Sequence, residues 1–305
     1  MPCPIPARGE LEYGACMSEP TVSYPSRAGH GGRVLVFDSG VGGLTVAGEI
    51  AALAPGLTVD YAADTGFFPY GDKSDAALRE RLPRVARALV EVARPDVFVI
   101  ACNTASTLAL PQVRAAIDIP VVGTVPAIKP AAAASRSHVI GLLATPGTLS
   151  RDYTARLISE FASHAQIIAH GSLELVRLAE AHAAGDTPPL DAFAAAQGPL
   201  FAAPGGAGID TVVLACTHFP LVRGQLIATA PRPLTYIDSG AAIARQTLRL
   251  LPAAATPARA ARAPMAYATR PDAAAPRFAR MLARYGYPRV SAVSVSGAAA
   301  SGSSS

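Results

Sequence analysis

The chain has 305 residues, half of them hydrophobic and 16% charged, which excludes a wholly disordered chain and allows one large domain or two medium ones. The net charge is +4, but residues 251–305 carry seven arginines and one acid, so the excess sits at one end and residues 1–250 balance at −2. With no Trp and 6% aromatic residues, neither a basic binding face nor a stacking platform is indicated, and no nucleic-acid partner is expected.

Residues 1–32 are rich in Pro, Gly and Ser and read as a disordered leader. Short β-branched runs then alternate with longer amphipathic stretches. The expected strands are 33–37, 58–62, 97–101, 121–123, 139–143, 166–169, 211–215, 235–237 and 265–268. Runs such as Arg33-Val34-Leu35-Val36-Phe37 and Thr211-Val212-Val213-Leu214-Ala215 are continuous rather than alternating, which suits strands covered on both faces of a parallel sheet. Helices are expected over 44–53, 75–93, 105–117, 147–163, 172–184, 221–230, 240–250 and 274–285. Ser74 is placed to cap the second, and Pro83 should kink or split it. Residues 290–305 are of low complexity and read as a disordered tail.

This alternation predicts an α/β protein. An internal echo sharpens the expectation. Val97–Thr104 (VFVIACNT) and Thr211–His218 (TVVLACTH) share the form of an apolar strand, then Ala-Cys, then a polar pair. Phe37–Gly40 (FDSG) and Ile237–Gly240 (IDSG) echo each other too. The chain therefore reads as two similar α/β halves. Ligands of such sheets sit outside the carboxyl ends of the strands, where both cysteines and Asp38-Ser39 would lie.

No run of about 18 apolar residues is present, so no transmembrane helix is expected. The start lacks a charged segment followed by an apolar one, which indicates a cytoplasmic protein with reduced thiols. The four cysteines, Cys3, Cys16, Cys102 and Cys216, form neither a disulfide framework nor zinc-site spacing, and no metal is expected.

The turn Asp38-Ser39-Gly40-Val41-Gly42-Gly43 lacks the third glycine of a dinucleotide fingerprint, because Thr45 occupies that position. Cys102-Asn103-Thr104 stands before a helix start, where a thiolate is stabilised and the amide and hydroxyl can bind a carboxylate or an ammonium. Cys216-Thr217-His218 repeats the arrangement and adds an imidazole. Two thiols on opposite faces of a substrate can remove a proton from a carbon and return one to the other side, inverting a stereocentre. With no Lys in a Schiff-base context and no nucleotide motif, such a reaction needs no cofactor.

These residues resemble a known family. FDSGVGGLTV, ADTGFFPYGDKS, VIACNTAST, VVGTVPAIKPA and VLACTHFPL occur in the order and spacing of the glutamate racemases, over about residues 33–285. The wider aspartate/glutamate racemase group has two α/β domains and a site between them, which implies here two similar parallel-sheet α/β domains, 33–127 plus 239–289 and 128–238, with the active site in the cleft between them. The resemblance implies cofactor-free interconversion of L- and D-glutamate, supplying D-glutamate for peptidoglycan. It assigns Cys102 to deprotonation of D-glutamate and Cys216 to that of L-glutamate, with Asp38 and His218 assisting. It assigns substrate binding to Asp38, Ser39, Tyr70, Gly71, Asn103, Thr104, Thr217 and His218. A further family acid follows an L-V-x-L-x-E stretch and falls on Glu180, although Gly171–Glu174 replaces the Cys-Pro common before it. VPAIKPA is similar to members with a long leader, some activated by a peptidoglycan precursor, and family members form homodimers of several kinds. The alternatives are a racemase of aspartate or hydantoin, or a non-catalytic amino-acid- or metal-binding protein using Cys102, Cys216 and His218.

Overall fold

A computed structural model describes residues 32–252, 263–269 and 275–295. The expected leader to residue 31, with Cys3 and Cys16, lies outside the described residues, as does the tail from residue 296.

The first lobe runs β1 (Arg33–Asp38), α1 (Leu44–Leu53), β2 (Thr58–Ala63), α2 (Asp75–Ala93), β3 (Val97–Ile100), α3 (Asn103–Arg114) and β4 (Val121–Gly123). The second lobe follows with α4 (Ile128–Ala134), β5 (Val139–Ala144), α5 (Pro146–Leu149), α6 (Asp152–Phe161), β6 (Gln166–Gly171), α7 (Leu173–Ala183), α8 (Leu190–Ala202), β7 (Thr211–Leu214), α9 (Arg223–Ala228) and β8 (Thr235–Ile237). The chain then returns to the first lobe for α10 (Gly240–Leu250), β9 (Ala266–Ala268), α11 (Ala275–Arg284) and β10 (Val290–Ala292).

Each lobe has its own sheet, and every pairing is parallel. The first has strand order β10-β9-β2-β1-β3-β4 and the second β6-β5-β7-β8. The unbroken apolar runs are explained by burial on both faces. Val34 and Val36 enter one core with α1 and α10, while Leu35 and Phe37 enter another with α2 and α3. In the second lobe, Val212 and Leu214 face α7 and α8, and Val213 and Ala215 face α4. At roughly 1.5–3 kcal/mol per fully buried Val, Leu or Phe, these two-sided layers dominate the stability of the strands.

Ser74 caps α2 by accepting from the Ala77 amide at 3.3 Å, as expected. The helix continues past Pro83 to Ala93 without a break. Other expectations are corrected. The single helix over 147–163 is two, interrupted at Ser150-Arg151. Two helices, α4 (Ile128–Ala134) and α8 (Leu190–Ala202), stand where none was expected. The tail starts later than residue 290, because β10 pairs with β9 and Val293 is buried.

The chain crosses between lobes after β4 and after β8. Ser239 Oγ ties the crossings by donating to the Val125 carbonyl at 2.5 Å. No helix among the described residues is long and apolar enough to cross a membrane.

Candidate active site

The carboxyl ends of β1, β3 and β7 converge on one cavity enclosing about 350 Å³, its open mouth included. Ser39, Tyr70, Gly71, Cys102, Asn103, Thr104, Cys216, Thr217 and His218 all line it. Each lobe contributes one cysteine, both are free thiols, and each is 7% exposed. Among the described residues, no group of three or more His, Cys, Asp or Glu is placed to hold a metal ion.

Asp38 and Glu180 stand just behind the wall. The fully buried Asp38 carboxylate accepts from the Ser39 amide at 2.7 Å, the Gly43 amide at 2.6 Å and Thr217 Oγ1 at 3.0 Å. It thus caps the glycine turn of its own lobe and reaches across the cleft. That approach requires glycine at 42, where a Cβ would lie 2.7 Å from the His218 backbone nitrogen and closer still to Thr217 Oγ1 and His218 Nδ1. Tyr61 supports the same turn by donating to the Gly40 carbonyl at 2.6 Å.

Glu180, on α7, holds His218. Glu180 Oε1 lies 2.8 Å from His218 Nε2 and also accepts from the Val41 amide of the other lobe at 3.0 Å. His218 Nδ1 lies 3.8 Å from Cys216 Sγ. These contacts form a carboxylate–imidazole–thiol line, with the Phe68 ring packed beside the imidazole. Burial disfavours charge on His218, but the bonds to Cys216 and Glu180 outweigh it and hold the imidazole well above its ordinary pKa.

Cys102 is the N-cap residue of α3. Burial pushes its thiol well above the ordinary range, the Asp38 carboxylate and Cys216 add to this, and the Ala105 amide pulls the other way. The surroundings of the two thiols therefore differ: burial and Asp38 keep the proton on Cys102, whereas Cys216 lies beside the His218 imidazole.

Asn103 and the threonines complete the wall. Asn103 Oδ1 is buried with no hydrogen-bond partner. Thr104 Oγ1 lies 3.2 Å from Thr145 Oγ1 and 3.3 Å from Thr148 Oγ1, across the cleft. The sequence reading missed Thr145 and Thr148, which follow β5. The strand-end rule that found the cysteines, applied to 139–144, would have marked Thr145. The IDSG echo does not enter the cavity: Asp238 caps α10 through the Gly240 amide at 2.8 Å, and Ser239 serves the interlobe crossing.

Two parallel-sheet lobes, each presenting one thiol to a shared cavity, define a class of α/β proteins built for two-sided chemistry at one carbon. The sequence profile of the Asp/Glu/Hydantoin racemase family matches residues 49–247. The chain is 46% identical over 264 residues to the glutamate racemase of Escherichia coli K12, covering 87% of this chain and 92% of that protein. It is 47% identical over 254 residues to that of Salmonella gallinarum, covering 83% and 89%. The crystal structure of E. coli glutamate racemase in complex with L-glutamate and the activator UDP-MurNAc-Ala superposes with a TM-score of 0.81 at 45% identity, over 88% of this chain and all of the other. A Thermus thermophilus glutamate racemase structure in complex with β-chloro-D-alanine gives 0.67 at 28% identity, over 87% and 97%. The chain belongs to the Asp/Glu/Hydantoin racemase family.

Proposed function

We propose that this protein interconverts L- and D-glutamate without a cofactor, by proton transfer between two thiols on opposite faces of the substrate. The observation that carries the reading is the placement of Cys102 and Cys216, one from each lobe, on the wall of one cavity. Sequence identity of 46–47% to glutamate racemases over most of the chain supports glutamate as the substrate.

In the L-to-D direction, Cys216 takes the α-proton while the His218 imidazolium, anchored by Glu180, stabilises its thiolate. Cys102, already protonated, delivers a proton to the opposite face. The reverse direction uses the complementary protonation state, with Asp38 receiving or steering the Cys102 proton. Asn103 Oδ1, a buried acceptor without a protein partner, suits the substrate ammonium. The hydroxyls of Ser39 and Thr104, the backbone amide of Thr217 and the Tyr70-Gly71 turn suit the carboxylates.

The product D-glutamate serves peptidoglycan synthesis, and a cytoplasmic location and a homodimer belong to the same proposal. So does activation by UDP-MurNAc-Ala, named as the activator in the E. coli complex. The two domains are 33–127 with 239–289, extended to include β10, and 128–238.

The test is racemisation by purified protein, free of added cofactor, followed by optical rotation and Cα deuterium exchange. Glutamate, aspartate and hydantoins are offered in parallel, with and without UDP-MurNAc-Ala. Turnover of glutamate above the others is expected. Turnover of aspartate or a hydantoin alone would overturn the substrate assignment, and no exchange of any of them would overturn the activity.

A further inference from the structure

We infer that Arg151 and Asp75 form a clasp between the lobes that sets how often the cleft is closed around its substrate, and that both act as positioning residues. The inference rests on the racemase reading for its substrate, but not for its geometry.

Arg151 Nη2 lies 2.9 Å from Asp75 Oδ1, a contact that joins the second lobe to the first. Its neighbours on each side are cavity walls. Asp75 opens α2, three residues after the 3-10 turn Tyr70–Asp72, whose Tyr70 and Gly71 line the cavity. Arg151 follows α5, whose Thr148 lines the same cavity from the other lobe. The two walls meet closely. A Cβ on Gly147 would stand 3.3 Å from the Gly71 carbonyl oxygen and 3.5 Å from Arg151 Nη1. The ion pair therefore bridges the place where the Tyr70–Asp72 turn and α5 touch.

The pair is unequal. The Arg151 side chain is 7% exposed and that of Asp75 is 54% exposed. Closing the cleft buries a guanidinium that donates one hydrogen bond to a carboxylate, while its Nε and Nη1 are buried with no hydrogen-bond partner. Unpaired buried donors favour a state in which water reaches them, and the attraction to Asp75 opposes that. A latch with two opposed contributions releases more readily than one without the opposition, as a cleft that must admit and discharge a small substrate requires. If only the closed form binds productively, apparent affinity scales with the closed fraction, so loosening the clasp raises KM and leaves the saturated rate almost unchanged.

The experiment measures KM and kcat for both enantiomers in wild type, Asp75→Asn, Arg151→Gln, the double variant and Asp75→Glu, between about 20 and about 300 mM NaCl. Asp75→Asn, which leaves the guanidinium buried without its partner, should raise KM about five-fold and change kcat by less than about two-fold, and Arg151→Gln, which removes the attraction and the unpaired donors together, should raise KM less. The double variant should be no worse than either single, and Asp75→Glu should restore wild-type KM. Salt should raise KM in wild type but not in Asp75→Asn, a response that a purely structural role would not produce. An unchanged KM in Asp75→Asn, multiplying effects in the double variant, or a surviving salt response would each overturn the clasp. If Arg151→Gln does not fold, Asp75→Asn with the salt series decides alone. If the wild type turns over no glutamate, the functional reading fails by itself. Small-angle scattering then still tests the clasp, which predicts a wider molecule for Asp75→Asn than for wild type and is contradicted by identical profiles.

Discussion

Cys102 and Cys216 occupy matched positions, at the ends of β3 and β7, with equal exposure, yet their surroundings differ. Around Cys102 the charges are negative: burial, Asp38 and Cys216 all keep the proton on sulfur. Around Cys216 the neighbour is an imidazole whose bonds to Cys216 itself and to Glu180 outweigh burial and raise its pKa. A duplicated strand–Cys pattern thus supplies symmetric placement, and unrelated residues at the end of β1 and on α7 supply different surroundings: a carboxylate beside Cys102 and an imidazole beside Cys216.

Substitutions can break this asymmetry from either side. The largest effect should come from Cys102→Ala or Cys216→Ala, each lowering racemisation by about 10³–10⁴-fold in a chiral assay. His218→Gln should cost about 10²-fold in kcat, and Glu180→Gln about ten-fold, because the latter removes one charge-assisted bond and leaves the ring in place. Equal losses in His218→Gln and Glu180→Gln would mean that the carboxylate has a direct role. Gly42→Ala should destabilise the fold by about 1–3 kcal/mol in thermal unfolding, since its Cβ meets backbone at His218 rather than a yielding side chain.

The smallest and most selective effect concerns pH. The alkaline limb of kcat/KM reports loss of the Cys102 proton, so it should lie above the ordinary thiol value of about 8.5. Asp38→Asn removes a negative charge that raises the Cys102 pKa. The limb should therefore move to lower pH. A limb that stays in place would detach Asp38 from Cys102.

Much of this site could be read in advance because sheets buried on both faces demand continuous β-branched runs, and their ends carry the polar motifs. Ser39, Asn103 and Thr217 were found that way. Glu180 was reached only through the family pattern, since nothing local at Leu178-Ala179-Glu180 indicates that α7 points its acid at His218. Thr145 and Thr148 carry no echo and no charge, so only their position after β5 marks them. The helices α4 and α8 were missed because alanine on every side flattens the contrast between buried and exposed faces. β10 is three residues in a low-complexity stretch, and only its pairing with β9 makes it a strand. The IDSG echo shows the converse: the same Asp-Ser-Gly triplet, at the end of the edge strand β8, serves the crossing between lobes and the start of α10.

The most direct test of two bases on opposite faces is isotope entry during the first turnover in deuterium oxide. L-Glutamate is mixed with excess wild-type protein, quenched early, and both enantiomers are analysed by mass. The account predicts deuterium at Cα of the D-glutamate formed and almost none in the remaining L-glutamate, with the mirror result from D-glutamate. Substrate and product labelled alike, or product that retains its original proton, would contradict it.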